Sequence, residues 1–179
     1  MRACAYGLKT DGAAPVKIAR IILFVALLSA ISCERAATQP GAVAPDFRLN
    51  DLTGQTRFLN AELARPVVLT FFATWCAPCR EEIPHLIDIH SRFRNRATVL
   101  CVDVDPENID KIQSIARSLS IPYPILLDEG KKVMAAYGVQ ELPTTFIIGP
   151  NGRVASTFST IGEREKKTLI ETVERIISK

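Results

Sequence analysis

Two cysteines separated by two residues, Cys76 and Cys79, constrain the fold of this chain more than any other feature. The apolar run at residues 67–72 precedes them, and a helical pattern begins directly after them. The order strand, turn, helix places Cys76 at the first turn of a helix. Unpaired backbone N–H groups and the helix dipole favour a thiolate at that position.

This placement predicts a dithiol redox site. A thiolate is the nucleophile of disulfide exchange, so we expect Cys76 to attack a disulfide and form a mixed disulfide. Cys79 would then attack Cys76 and release the reduced product. We expect Cys76 to be partly exposed and Cys79 less so, and we expect no cofactor.

Zinc binding is the main alternative use of two cysteines at this spacing, but zinc needs two further ligands. The only histidines are His85 and His90, on the helix that begins at the cysteines. His90 falls on the apolar stripe of that helix and is interpreted as packed, whereas His85 is interpreted as solvated. No metal site is predicted.

The first 33 residues of the chain have the features of a targeting segment. Residues 21–31 form an apolar run preceded by Lys17 and Arg20, with the length of a signal-peptide core. The following Ala30–Cys33 stretch resembles a lipoprotein signal box, although Ala30 departs from the usual leucine. We interpret residues 1–33 as a signal peptide with Cys33 as a candidate lipidation site; an ordinary cleaved signal or an uncleaved anchor stays open.

Charge and composition divide the chain at the same point. Residues 34–45 are rich in Ala, Pro and Gly and are interpreted as a flexible tether, leaving residues 46–179 as the folded domain. Of 22 basic and 19 acidic residues, four basic and one acidic precede residue 34, so the remainder is balanced. The domain therefore offers no charge-based case for nucleic acid as a partner.

Strand and helix patterns alternate through the domain. A hairpin is predicted around residues 47–49 and 56–58. Five strands are predicted at 66–72, 97–104, 123–127, 144–148 and 154–158, and four helices at 77–94, 106–119, 131–137 and 163–177. We expect a kink at Pro84, an N-cap at Asp105 and a buried, inert Cys101. This order predicts an α/β fold with a mixed central sheet flanked by helices.

Two motifs in this order resemble the thioredoxin superfamily. Residues 75–84, WCAPCREEIP, are followed about sixty residues later by residues 142–146, LPTTF. The match is best to the membrane-anchored TlpA/ResA type of thiol–disulfide oxidoreductase and covers residues 43–179. It implies a thioredoxin-like fold with an extra N-terminal β-hairpin and a central strand–helix insertion.

The resemblance also implies roles for residues around the cysteines. Pro143 would be a cis-proline that faces them, and with Leu142 and Trp75 it would bind the substrate. Thioredoxin keeps a buried aspartate where this chain has Thr70, which cannot ionise. Glu82 matches a glutamate of the TlpA/ResA type and is predicted to handle the proton of Cys79. Alternatively, Glu82 only favours the positive end of the helix.

The predicted function is reduction of disulfides in exported proteins at the extracytoplasmic face of the inner membrane, as in cytochrome c maturation, with an upstream membrane dithiol as donor. A disulfide donor or a non-catalytic client-binding factor stays open. A peroxiredoxin would carry threonine at Ala73, and a copper-delivery protein would carry a histidine after His90. Neither class is favoured.

Overall fold

A computed structural model of the protein describes residues 39–179, and the predicted signal peptide and candidate lipidation site at Cys33 lie outside them. Within this range, none of the helices is long and apolar enough to cross a membrane. The strands are β1 (Arg48–Asp51), β2 (Thr56–Phe58), β3 (Val67–Phe72), β4 (Thr98–Asp103), β5 (Ile125–Leu127), β6 (Thr144–Ile148) and β7 (Val154–Phe158). The α-helices are α1 (Leu59–Glu62), α2 (Ala77–Phe93), α3 (Ile109–Ser118), α4 (Lys132–Ala136) and α5 (Glu163–Ile177).

All seven strands form one mixed sheet in the order β2-β1-β5-β4-β3-β6-β7. Strands β3, β4 and β5 are parallel, whereas β6 is antiparallel to β3 and β7 is antiparallel to β6. The hairpin β1–β2 joins the sheet through an antiparallel contact between β1 and β5. This arrangement confirms the predicted α/β architecture, including the extra hairpin and the central strand–helix segment.

The two faces of the sheet centre differ in chemistry because neighbouring residues of a strand point to opposite sides. On one face, the rings of Phe71, Phe146 and Tyr137 pack with centroids 5.1–5.9 Å apart. On the other face, the hydroxyl groups of Thr70 and Thr145 are hydrogen-bonded to each other across the β3–β6 pair. A polar layer therefore lies inside the domain on the side opposite the aromatic core.

Helices α2 and α5 are held together by charged pairs. Nζ of Lys166 lies 2.7 Å from the Asp88 carboxylate, and Nη2 of Arg92 lies 2.9 Å from Glu174. Helix α2 also packs on β4, and α5 packs on β6 and β7. Helix α2 continues through Pro84 as one element. Since α2 begins after β3 ends, its N-terminus lies at the end of the sheet where β3 stops and β6 starts; we call this the active-site end.

The last part of the predicted tether belongs to the folded domain. The N–H of Gly41 donates to the Val154 carbonyl at 2.7 Å, and the N–H of Ala44 donates to the Gly152 carbonyl at 2.9 Å. Val43 forms a β-bridge with Arg153. Backbone pairing thus begins before residue 46, the predicted start of the domain.

One local prediction was wrong and one short element was missed. Helix α3 begins at Ile109 rather than at 106, because Asn108 provides the cap and its side chain accepts the N–H of Lys111. The short helix α1 was not predicted, since four residues are too few for a periodic pattern; it buries Leu59.

Candidate active site

The cysteine pair occupies the first turn of α2 as a disulfide. Cys76 is the N-cap, and its Sγ accepts a hydrogen bond from the N–H of Cys79 at 3.2 Å. The two sulfurs are bonded at 2.10 Å, with the Cα atoms 5.3 Å apart. The predicted strand–turn–helix placement is confirmed. The N–H donor that reaches Cys76 in the disulfide is in place to stabilise a thiolate there after reduction.

The expected exposure of Cys76 was wrong for this oxidised state. Cys76 is 5% exposed and Cys79 is 2% exposed, so both are buried, although their predicted order holds. Trp75, which directly precedes Cys76 in the sequence, is 60% exposed and forms part of the surface beside the pair.

Trp75 is held in place by an acidic side chain from the loop after β4. Its indole Nε1 donates to Oδ2 of Asp105 at 2.8 Å. The backbone N–H of Asp105 donates in turn to Oδ1 of the fully buried Asp103 at 3.0 Å. Asp105 was predicted to cap α3; instead it anchors Trp75 and lines a surface cavity of about 420 Å³. Glu107, Glu129 and Lys131 line the same cavity.

Pro143 lies at the active-site end of the sheet, directly before β6. The Leu142–Pro143 peptide bond is cis, which confirms the implication of the family resemblance. Thr144, the next residue, pairs with Phe71 of β3, the strand that leads to the cysteines. Pro143 is buried and Leu142 is half-buried. The substrate-binding roles of Trp75, Leu142 and Pro143 stay predictions.

Glu82 points into the protein, not toward solvent at the helix end. It is 1% exposed, and its Oε1 accepts a hydrogen bond from the Thr145 hydroxyl at 3.1 Å. Burial raises the pKa of Glu82 from 4.5 to about 7, against the opposing effect of the Thr145 hydrogen bond. A carboxyl with this pKa can hold or release a proton near neutral pH. The alternative of a solvated acidic residue favoured only by the helix dipole does not fit this burial.

Thr70 connects to the same carboxyl through a second hydroxyl. The Thr145 hydroxyl donates to Glu82, so the hydrogen of the Thr70–Thr145 contact comes from Thr70. Thr70 of strand β3 therefore acts on the Glu82 carboxylate through the Thr145 hydroxyl. Thioredoxin carries its buried aspartate at the position of Thr70. The sequence analysis missed Thr145, although its position two residues after Pro143 places it on the same face as Thr70.

Cys101 and Asp103 add two further buried groups on β4, beside β3. Cys101 is a free, buried thiol, as predicted, and burial raises its pKa, with further increases from Glu82 and Asp103. Burial also raises the pKa of Asp103 to about 6, although the hydrogen bond from Asp105 lowers it. Their alternate positions in an apolar strand were visible in the sequence, but the proximity of Cys101 to Glu82 was not.

The two histidines have structural contacts. Nδ1 of His85 lies 3.5 Å from the Glu163 carboxylate of α5, and the ring of His90 lies 5.9 Å from that of Tyr123. Among residues 39–179, no group of three or more His, Cys, Asp or Glu side chains is arranged to hold a metal ion.

Comparisons with known proteins agree with this geometry. The profile of the AhpC/TSA family matches residues 40–157. The thiol-disulfide oxidoreductase ResA of Geobacillus thermodenitrificans is 30% identical over 167 residues, covering 88% of this chain and 95% of that protein.

Two solved structures have the same thioredoxin-like fold. A Chlorobium tepidum protein described as thiol:disulfide interchange protein DsbE superimposes with a TM-score of 0.72 at 26% identity, covering 78% of this chain and 99% of its own. The exposed lipoprotein thioredoxin of Streptococcus pneumoniae gives a TM-score of 0.64 at 25% identity, covering 73% and 99%.

Proposed function

Because this chain belongs to the AhpC/TSA family and is a thiol–disulfide oxidoreductase, we propose that it reduces disulfides of exported proteins in the cell envelope. The observation that carries the proposal is the pairing of two features. A reactive disulfide caps the start of α2, and one turn later a buried carboxyl has a pKa of about 7. This combination suits a dithiol whose second sulfur must lose a proton inside the protein.

The reaction begins with reduced protein and an oxidised client. The Cys76 thiolate attacks one sulfur of the client disulfide, the client S–S bond breaks, and one client sulfur leaves as a thiolate. A mixed disulfide now joins Cys76 to the client. Cys79 then gives its proton to Glu82 and attacks Cys76, which releases the second client sulfur. Two electrons pass to the client, and the Cys76–Cys79 disulfide remains.

Glu82 is the base in this sequence. Its pKa of about 7 leaves a large fraction ionised at neutral pH, and Thr145 holds Oε1 in a fixed orientation. Helix geometry supports this role, because residues three apart on a helix are neighbours on one face, so Glu82 follows Cys79 toward the interior. An upstream membrane dithiol would close the cycle by reducing the Cys76–Cys79 bond.

The envelope location rests on the N-terminal sequence. Residues 21–31 and Cys33 have the pattern of a lipoprotein signal, and a lipoprotein is among the structural neighbours. We propose that Cys33 carries the lipid and that the domain acts at the extracytoplasmic face of the membrane. Globomycin-sensitive processing and loss of membrane association in Cys33→Ala would support this; unaltered fractionation of that variant would contradict it.

The catalytic proposal is tested by turnover against a model protein disulfide in the presence of a small dithiol. The reduced protein should turn over many equivalents of client. Cys76→Ser should be inactive, while Cys79→Ser should accumulate a mixed disulfide with the client. Reaction of one equivalent without recycling would instead favour a client-binding factor.

The direction of electron flow needs a separate measurement. The reduction potential of the Cys76–Cys79 pair can be measured by equilibrating the protein with glutathione or dithiothreitol buffers of known potential. A value near that of thioredoxin, about −270 mV, supports a reductant. A value near that of DsbA, about −120 mV, would make the protein a disulfide donor.

A further inference from the structure

Three buried polar atoms beneath helix α2 have no hydrogen-bond partner among the residues that the structure describes. They are Oε2 of Glu82, the hydroxyl of Tyr123 and Nδ1 of His90; a fourth such atom, Oδ2 of Asp103, lies at the active-site end of β4. Buried polar groups in folded proteins are nearly always hydrogen-bonded, to protein or to ordered water. Three such atoms in one region therefore point to a shared partner rather than to three independent defects.

Two interactions connect these three groups in series, from Glu82 through Tyr123 to His90; we call this series the line. Glu82 and His90 are eight residues apart on α2, which places both on the face toward the sheet, about 12 Å apart along the helix axis. Tyr123 interacts with both of them: its ring is 5.9 Å from the His90 ring, and Glu82 is close enough to raise the pKa of its hydroxyl, after burial and Cys101. Cys101 borders the line from strand β4.

The line ends at a surface cavity far from the cysteines. His90 lines a cavity of about 330 Å³ together with Arg94, Pro124 and the start of β4. Strand β4 runs parallel to β3, so its first residues lie opposite the active-site end of the sheet. A client that covers Cys76 therefore leaves this cavity open to solvent.

The reaction requires a proton to move along such a line. Glu82 takes the proton of Cys79 but is 1% exposed. Its Oε1 contacts Thr145, which is fully buried, and the hydroxyl partner of Thr145, Thr70, is 1% exposed. Oε2 is the free oxygen.

We propose that internal water joins Oε2 of Glu82, the Tyr123 hydroxyl and Nδ1 of His90, and that this tract carries the proton of Glu82 to solvent at the end opposite the client. The inference rests on the proposed function of Glu82 as base. The proton leaves the carboxyl, passes through water and hydroxyl, and enters the solvent of the His90 cavity, which restores the carboxylate. Water suits the site because a buried molecule commonly makes about three hydrogen bonds to polar groups of this kind.

Other ionisable groups border the tract. Cys101 of β4 lies near both Glu82 and Asp103, Thr145 of β6 donates to Glu82, and Arg94 lies near His90 at the mouth. Burial, and then Arg94, lowers the pKa of His90, so a neutral imidazole is available to accept a hydrogen bond at Nδ1 near neutral pH.

The test is a carboxyl ¹³C NMR titration of protein labelled at the side-chain carboxyl of glutamate, with the Glu82 signal assigned by its loss in Glu82→Gln. In Tyr123→Phe the titration midpoint of Glu82 should rise by about one pH unit, since hydrogen bonding favours the carboxylate. Tyr137→Phe is the matched control: it removes another buried hydroxyl, which donates to the Pro45 carbonyl at 2.8 Å, and should leave the midpoint unchanged.

His90 tests the far end of the tract. His90→Phe should raise the Glu82 midpoint as well, and His90→Gln, which keeps polar atoms there, should restore it. An unchanged midpoint in Tyr123→Phe or in His90→Phe would overturn the proposal. So would a gain in the stability of Tyr123→Phe, because a dry, unpaired hydroxyl is better removed than kept.

These outcomes are separate from the fate of the proposed function. If Glu82→Gln leaves client turnover unaffected, the role of Glu82 as base fails. If Glu82→Gln impairs turnover but Tyr123→Phe leaves the Glu82 midpoint unchanged, the base survives and only the water tract fails.

Discussion

Replacement of Glu82 by glutamine should stabilise the oxidised protein at alkaline pH and leave it nearly unchanged at acidic pH. Burial raises the pKa of Glu82 from 4.5 to about 7. Between these two pH values, Glu82 is protonated in the folded state and ionised in the unfolded state. The free energy of unfolding therefore falls as the pH rises through this range. The difference of about 2.5 pH units corresponds to about 3 kcal/mol at about 1.4 kcal/mol per unit.

Glutamine keeps the Oε1 acceptor for Thr145 but has no charge to bury. Urea denaturation of wild type and Glu82→Gln at pH 4, 5, 6, 7 and 8 isolates this group, because all other titrating residues are common to both proteins. We expect the variant to gain about 3 kcal/mol relative to wild type between pH 4 and pH 8. A difference that stays flat over this range would refute the assignment of a raised pKa, and with it the choice of Glu82 as a base near neutrality.

Three further predictions concern the surroundings of the site. Thr145→Val removes the hydroxyl that donates to Glu82, so the Glu82 pKa should rise further and stability at pH 8 should fall by about 1–2 kcal/mol; unchanged values in urea titrations at pH 5 and 8 would contradict this. Asp105→Ala frees the indole of Trp75, the only tryptophan in the chain, so fluorescence anisotropy should fall; an unchanged anisotropy would show that the bond does not hold the ring. Burial raises the pKa of Asp51, but hydrogen bonds from its neighbours lower it on balance, so its stabilisation is present above pH 4 and is lost below; Asp51→Ala should lose about 2 kcal/mol at pH 7 and much less at pH 2 in thermal unfolding.

The bounds of helices and strands were predicted correctly where the hydrophobic pattern extended over many residues or where a turn signal was strong. Residues 144–148, 154–158 and 163–177 form strands and a helix with the predicted bounds. The long apolar runs and the Asn151-Gly152 turn determine the bounds of these elements. Short elements such as α1 carry too few residues for a pattern, and the start of α3 depended on which of two polar residues caps the helix.

The candidate site was predictable only in part. The cysteines and Glu82 stand out through motif and spacing, whereas the partners of Glu82 come from strands that are distant in sequence. Thr145 follows Glu82 by 63 residues, and only the β3–β6 register brings it beside Thr70. The anchoring of Trp75 by Asp105 was hidden for the same reason, since a side chain thirty residues away replaced the predicted local cap.

The backbone pairing of Val43 with Arg153 has an orientational consequence. Arg153 lies just before β7, whose first residue pairs with Ile148, and Ile148 pairs with Val67 at the base of β3. The polypeptide thus enters the domain at the end of the sheet opposite the active-site end. Trp75 and the cysteines therefore lie at the end of the folded domain opposite the one at which residue 43 pairs with Arg153, so a partner bound at that entry point would leave the sulfurs accessible.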